Sequence, residues 1–218
     1  MTCPALRPDL TALPDRIKDL PIHRGYPVPY FVAWPDGPGG EPEFRTADGG
    51  KFKRAVQERL CWVCGQKLGA HLAFVLGPMC GITRTTSEPA CHRGCALWSI
   101  RNCPFLTRPE MERRDANLPA GTIDAAGIPI HRNPGVCLLW VTKSFEVWAD
   151  QNKRPLLTVG DPLEVLCFAE GRAATRAEIN FSIAGGLPIL EAEARKEGAD
   201  AIRELEAQIR RLEVWLPL

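Results

Sequence analysis

Two close groups of soft metal ligands, "CWVCG" at 61–65 and "CHRGC" at 91–95, constrain this chain more than any other feature. A tetrahedral ion needs four donors at short range, and thiolate and imidazole are the donors zinc prefers. A Cys-x-x-Cys turn can bring Cys61 and Cys64 onto one ion. Gly65 follows at once, where a chain bending round the sulfurs needs a positive φ. His92 and Cys95 stand three residues apart, so a helix starting there shows both on one face. The expected ligand set is therefore Cys61, Cys64, His92 and Cys95, with Zn2+ as the ion. Four protein donors close the coordination sphere and make the zinc structural. Two alternatives stay open. Cys91 can pair with Cys95 at i, i+4 in place of His92. A set of Cys61, Cys64, Cys91 or Cys95, and Cys103 would suit an iron–sulfur cluster and a redox or sensing role.

The order of these parts carries a resemblance. "CWVCG", a β-prone stretch at 69–86 and "HRGC" on a helix resemble a treble-clef zinc finger over residues 58–103. That resemblance implies a knuckle, a hairpin of "HLAFVL" and "ITRTT" turning at "GPMCG", and a ligand-bearing helix. Treble-clef nucleases set His or Asn on that helix to hold a hard cation. Here the helix carries thiols, which Mg2+ and Ca2+ do not select. No His-x-Glu accompanies a Pro-Cys-x-x-Cys, as a zinc deaminase would require. More loosely, "RLCWVCG", "GPMC", "CPFL" and "EGRAATRAE" resemble a group of bacterial and phage proteins, a likeness that implies no activity.

The remaining cysteines read differently. There are nine in all, an odd number, which argues against a disulfide framework. Cys3, Cys137 and Cys167 read as packed thiols, the last two within apolar strands. No run approaches the roughly 18 apolar residues of a membrane span. The first twenty residues carry Asp9, Asp15 and Asp19 and do not form a signal peptide. The expected compartment is the cytoplasm, with no membrane partner.

The fold expected is α+β: an antiparallel sheet, the zinc module and C-terminal helices. Residues 1–57 read as an N-terminal arm with edge strands, in which "PYFVAW" pairs with 42–50. Residues 51–60 read as a helix with Phe52, Val56 and Leu60 on one face. Residues 58–103 are the zinc module, with a helix starting near Ser87. Residues 104–134, rich in Pro and Gly, read as a linker or extended loop. Residues 135–218 supply strands at 135–142, 145–150, 155–160 and 164–171. A helix capped by Thr175 and Glu178 follows and breaks at "GGLP" (185–188). A last helix over 189–214 shows Ala201, Leu205, Ile209 and Leu212 on one face. All this is expected to pack as one body.

Charge is uneven. Residues 45–114 carry twelve Lys/Arg against five Asp/Glu, although the net charge is only +1. The expected partner is DNA or RNA, or another protein. The candidate contacts are Lys51, Lys53, Arg54, Arg93 and Arg101, with Trp62 and Trp98 available to stack on bases. An enzyme is the other class, with a pocket drawn from His23, Arg24, His131 and Arg132. Arg172 and Arg176 are a further candidate phosphate site at a helix start.

Overall fold

The computed structural model describes residues 5–37, 39–112, 114, 116–119, 122, 126–127 and 133–217. The elements run β1 (Ile22–His23), β2 (Tyr26–Pro27), β3 (Val32–Ala33), β4 (Glu43–Ala47), α1 (Gly49–Gln57), β5 (Leu72–Leu76), α2 (Pro78–Thr83), β6 (Thr85–Thr86), α3 (Arg93–Asn102) and α4 (Pro104–Thr107). The second half gives β7 (Cys137–Thr142), β8 (Phe145–Ala149), β9 (Pro155–Val159), β10 (Glu164–Ala169), β11 (Arg172–Ala173), α5 (Arg176–Glu197) and α6 (Ala199–Trp215). The class is α+β, with antiparallel sheets and C-terminal helices.

The core is a four-stranded sheet in the order β11-β10-β7-β5. Every residue of "CLLWVT" in β7 is buried, because both faces of this central strand are covered. On one face, Trp140 meets Trp215 of α6 edge-on at 5.2 Å. Gly81 of α2 sits under Leu138 and Leu212 on that same side. Strand alternation turns Cys137, Leu139 and Val141 the other way, and α3 packs on β5 and β7. A second sheet, β6-β9-β8, ends in β8, exposed along most of its length.

The hairpin expected over 69–86 does not form. Pro78 takes the first turn of α2, where its missing N–H costs nothing, so "GPMCG" begins a helix. β5 pairs instead with β7, and β6 with β9. The helix expected from Ser87 begins at Arg93, because Cys91 is extended and bridges Ala73. Asp48 caps α1 by accepting from Lys51 N–H at 3.0 Å. The capping box of Thr175 and Glu178 is present, yet α5 does not break at "GGLP". It runs 22 residues through Pro188. Gly186 is buried against the Met79 side chain, so packing on α2 holds the helix across its weak point.

Candidate metal centre

The chain enters the site from α1. Glu58 caps that helix, Arg59 takes φ 53, and Leu60 N–H reaches back to Ala55 C=O at 2.9 Å. This is the bond pattern of a Schellman termination, with Arg in the place glycine usually fills. Leu60 and Lys67 then bridge, making residues 61–66 a tight turn. Cys61 N–H donates to Gln66 C=O, and Gly65 N–H to Cys61 C=O, both at 2.8 Å. Gly65 has φ 73, as the turn requires.

The second half arrives on α3. His92 is its N-cap residue, and Cys95 lies in the first turn. The ligand atoms of Cys61, Cys64, His92 and Cys95 all lie within 4.8 Å of one another, and this group could hold a metal ion. His92 Nδ1 is 3.4 Å from Cys64 Sγ and 4.0 Å from Cys95 Sγ. Tetrahedral bonds of about 2.3 Å to sulfur and 2.0 Å to nitrogen put a sulfur and a nitrogen ~3.5 Å apart. The spacing fits such an ion without rebuilding the backbone.

The surroundings orient the donors. His92 Nε2 lies 3.0 Å from Lys67 C=O, and a carbonyl can only accept. That bond places the proton on Nε2 and leaves the Nδ1 lone pair facing the sulfurs. Cys61 Sγ receives the backbone N–H groups of His92 at 3.3 Å and Cys64 at 3.5 Å. Hydrogen bonds from Cys64, Cys91 and Cys95 hold the Cys61 thiol well below its ordinary range. The same bonds to Cys61 push Cys64, Cys91 and Cys95 up, with burial adding to the effect.

Cys91 is buried beside Cys61 but stands outside the four-ligand group. Cys103 follows the ten residues of α3, so it lies ~15 Å along the axis from Cys95's end of the helix. The iron–sulfur set drawn through Cys103 is therefore not assembled. Burial raises the thiols of Cys80 and Cys167 to about 11 and of Cys137 to about 12, as expected of packed, inert cysteines. Cys3 lies outside the described residues.

The basic candidates are largely engaged within the chain. Lys51 amine donates to Val32 C=O at 2.7 Å and sits over the Tyr30 ring; burial lowers its pKa. Arg54 binds Glu58, and Arg93 makes two 2.7 Å bonds to Glu164. Lys53 and Arg101 remain exposed. Trp62 and Trp98 do not face solvent: Trp62 stacks on Phe31, and Trp98 donates to Thr11 C=O. Arg172 binds Glu178, and Arg176 binds Glu213, so neither presents a free phosphate site. His23 and Arg24 both approach Glu41, at 3.1 and 3.8 Å. His131 and Arg132, the other two residues of the expected pocket, lie outside the described residues.

Among the described residues, no helix is long and apolar enough to cross a membrane. No family model matches the chain, and no curated protein or solved structure is significantly similar to it.

Proposed function

We propose that Cys61, Cys64, His92 and Cys95 bind one zinc ion, and that this zinc is structural. The observation that carries the reading is the His92 ring. Its Nε2 is tied to Lys67 C=O, and its Nδ1 is aimed at Cys64 and Cys95. Three thiols and an imidazole form a donor set for zinc and leave no open position for substrate. The likeness to a treble clef is then one of knuckle and helix, with the sheet strand β5 and helix α2 in place of a hairpin. A structural zinc contributes ~10–16 kcal/mol of apparent binding energy. Native domains hold only about 5–15 kcal/mol in total, so loss of the ion unfolds this region.

On this reading the protein is a zinc-stabilised binding module, with DNA, RNA or a protein as its partner. Lys53 and Arg101 are the cations that support nucleic-acid contact. The free thiols suit a reducing compartment such as the cytoplasm.

The test is elemental analysis with an absorption spectrum of the same sample, repeated for Cys61→Ser and His92→Ala. One zinc per chain without a visible band is expected, and each variant should lose both the zinc and the cooperative melt. A brown, iron-containing sample, or a Cys61→Ser protein with full zinc and an unchanged melt, overturns the assignment. Partner choice is read from retention on DNA and RNA at rising salt. Lys53→Glu should weaken that retention, and salt-independent behaviour would point to a protein partner.

A further inference from the structure

β8 is the outer strand of the β6-β9-β8 sheet, and among the described residues no strand pairs with its far side. We propose that two copies of this chain associate through β8, strand to antiparallel strand, about a two-fold axis at Val147.

The backbone is the first support. β8 and β9 keep one register from Phe145↔Val159 to Ala149↔Pro155. The bonds at either end of that ladder fix which groups face β9. Gly160 N–H donates to Ser144 C=O, and Asp150 N–H to Arg154 C=O, both at 2.9 Å. Bonding direction alternates along a strand, so Ser144, Glu146, Trp148 and Asp150 turn their backbone groups to β9. Phe145, Val147 and Ala149 turn theirs outward. Unpaired groups of this kind are a template for another strand, and proteins blunt such edges with proline, lysine or a bulge. β8 has none of the three. Other edges offer less: β6 and β11 are two residues long, β4 is irregular against β3, and β5 is met at Ala73 by Cys91. On a second copy, the regular open edge of matching length is its own β8. Pairing like with like closes the assembly instead of propagating it.

The charge pattern is the second support. Val147 and Trp148 are 48% and 44% exposed, and Glu146 is the one charged residue of the strand. Three neighbouring registers set outward-facing residues of two β8 strands against each other. With Glu146 on the axis, two carboxylates stand opposite. With Trp148 on the axis, Glu146 of each copy stands opposite Asp150 of the other. Like charges directly opposite are destabilising. With Val147 on the axis, Glu146 stands opposite Trp148 of the second copy, and Phe145 opposite Ala149. No like charges meet, and all three outward residues find partners, each pair exchanging both backbone bonds.

Rigidity is the third. Trp148 Nε1 donates to Thr158 Oγ1 at 3.1 Å, and Phe145 meets Phe74 edge-on at 6.0 Å. Asp150 closes the turn to β9 by accepting from Asn152 N–H at 2.9 Å and Arg154 N–H at 2.8 Å. The strand is thus in place before a partner arrives, which lowers the ordering cost of binding. Two five-residue strands bury less than the roughly 1,200 Å² of a permanent interface, so this dimer forms and dissociates with concentration. The inference does not depend on zinc.

The test is sedimentation velocity of the full chain as purified, from about 1 to 300 μM, with amide hydrogen exchange on the same samples. Dimer mass should appear as concentration rises, and the amides of Phe145, Val147 and Ala149 should then exchange at least tenfold more slowly. Val147→Lys sets two ammonium groups at the axis and should keep the chain monomeric, with the melt of the parent. Trp148→Lys and Trp148→Glu lose the same ring, but only the first offers Glu146 of the second copy an opposite charge. It should dimerise at least tenfold more tightly than the second. A monomer throughout that range, a dimer that survives Val147→Lys, or equal association of the two Trp148 variants overturns the proposal.

Discussion

Gly65→Ala isolates how much of the metal knuckle rests on backbone geometry rather than on the ligands. Gly65 has φ 73, and an L side chain there costs about 1–2 kcal/mol. A Cβ at this position would also sit 2.8 Å from Tyr30 Cδ2 and 3.1 Å from Cγ. The ring cannot swing clear at no cost. Tyr30 N–H donates to Val63 C=O at 2.7 Å, and the Lys51 ammonium lies 5.7 Å from the ring centre. The hydroxyl oxygen is already buried without a hydrogen-bond partner among the described residues. Forcing a methyl into such a contact costs about 1–3 kcal/mol. The lost freedom of the unfolded chain returns about 0.4–1 kcal/mol. The net expected loss is about 2–3 kcal/mol, read from urea unfolding of zinc-saturated protein followed by tryptophan fluorescence. Tyr30→Ala removes the clash but not the φ strain, so in that background Gly65→Ala should cost only about 1 kcal/mol. A loss below about 0.5 kcal/mol, or the same loss in both backgrounds, would show that neither the turn nor the Tyr30 contact constrains the knuckle.

Three further perturbations test the C-terminal half. Hydrogen bonds from Arg172 and from Thr175 hold Glu178 down to about 2, against an ordinary value of 4.5. Its contribution is therefore complete above pH 4.5 and fades as pH falls through about 2. Glu178→Gln should lower stability most above that window and flatten the acid limb within it; a superimposable acid limb would refute the capping-box role. In α5, exposed Pro188 leaves the carbonyl four residues back without its helical donor. Pro188→Ala should raise stability by about 1–2 kcal/mol, since the helix gain exceeds the entropy returned to the unfolded chain. Gly186→Ala should do the opposite by about 1 kcal/mol, its Cβ meeting Met79 Sδ, Cε and Cγ at 2.8–2.9 Å. Thermal melts by circular dichroism decide both, and a stabilised Gly186→Ala protein would mean that α2 and α5 are not in close contact.

What was legible in the sequence was local. The strands β7 to β10 are short apolar runs between turn formers, and each lies where its pattern puts it. The Thr175–Glu178 cap and the apolar face of Phe52, Val56 and Leu60 depend on neighbours three to eight residues away. The group of Cys61, Cys64, His92 and Cys95 that could hold a metal was legible because coordination chemistry restricts both residue type and spacing. The misreadings share a cause in distant contacts. "ITRTT" is β-prone, but the strand that β6 joins is β9, from Thr158 and Leu157. "GGLP" breaks an isolated helix, yet Met79, a hundred residues earlier, covers Gly186. Arg93 looks like a surface cation until Glu164 is set against it.

The topology shows what a metal would do at this place. β5 is the edge of the main sheet, buried along most of its length and flanked on one side only by β7. An apolar edge strand with free N–H and C=O groups is a template for association with other chains. Here the edge is closed by a single rung. Ala73 and Cys91 exchange both backbone hydrogen bonds, at 2.9 and 2.7 Å, and Ala90 C=O accepts from Trp62 N–H at 3.0 Å. One rung cannot hold a segment in place, because ordering each residue costs roughly 1–2 kcal/mol of conformational entropy. His92 and Cys95 immediately follow that rung, and Cys61 and Cys64 bracket Trp62. An ion bound by the four would pin both crossing segments at once and keep residues 90–92 against β5. The ligands sit at the point where the sheet is least able to protect itself, and the metal reading and the fold reading meet in that one strand.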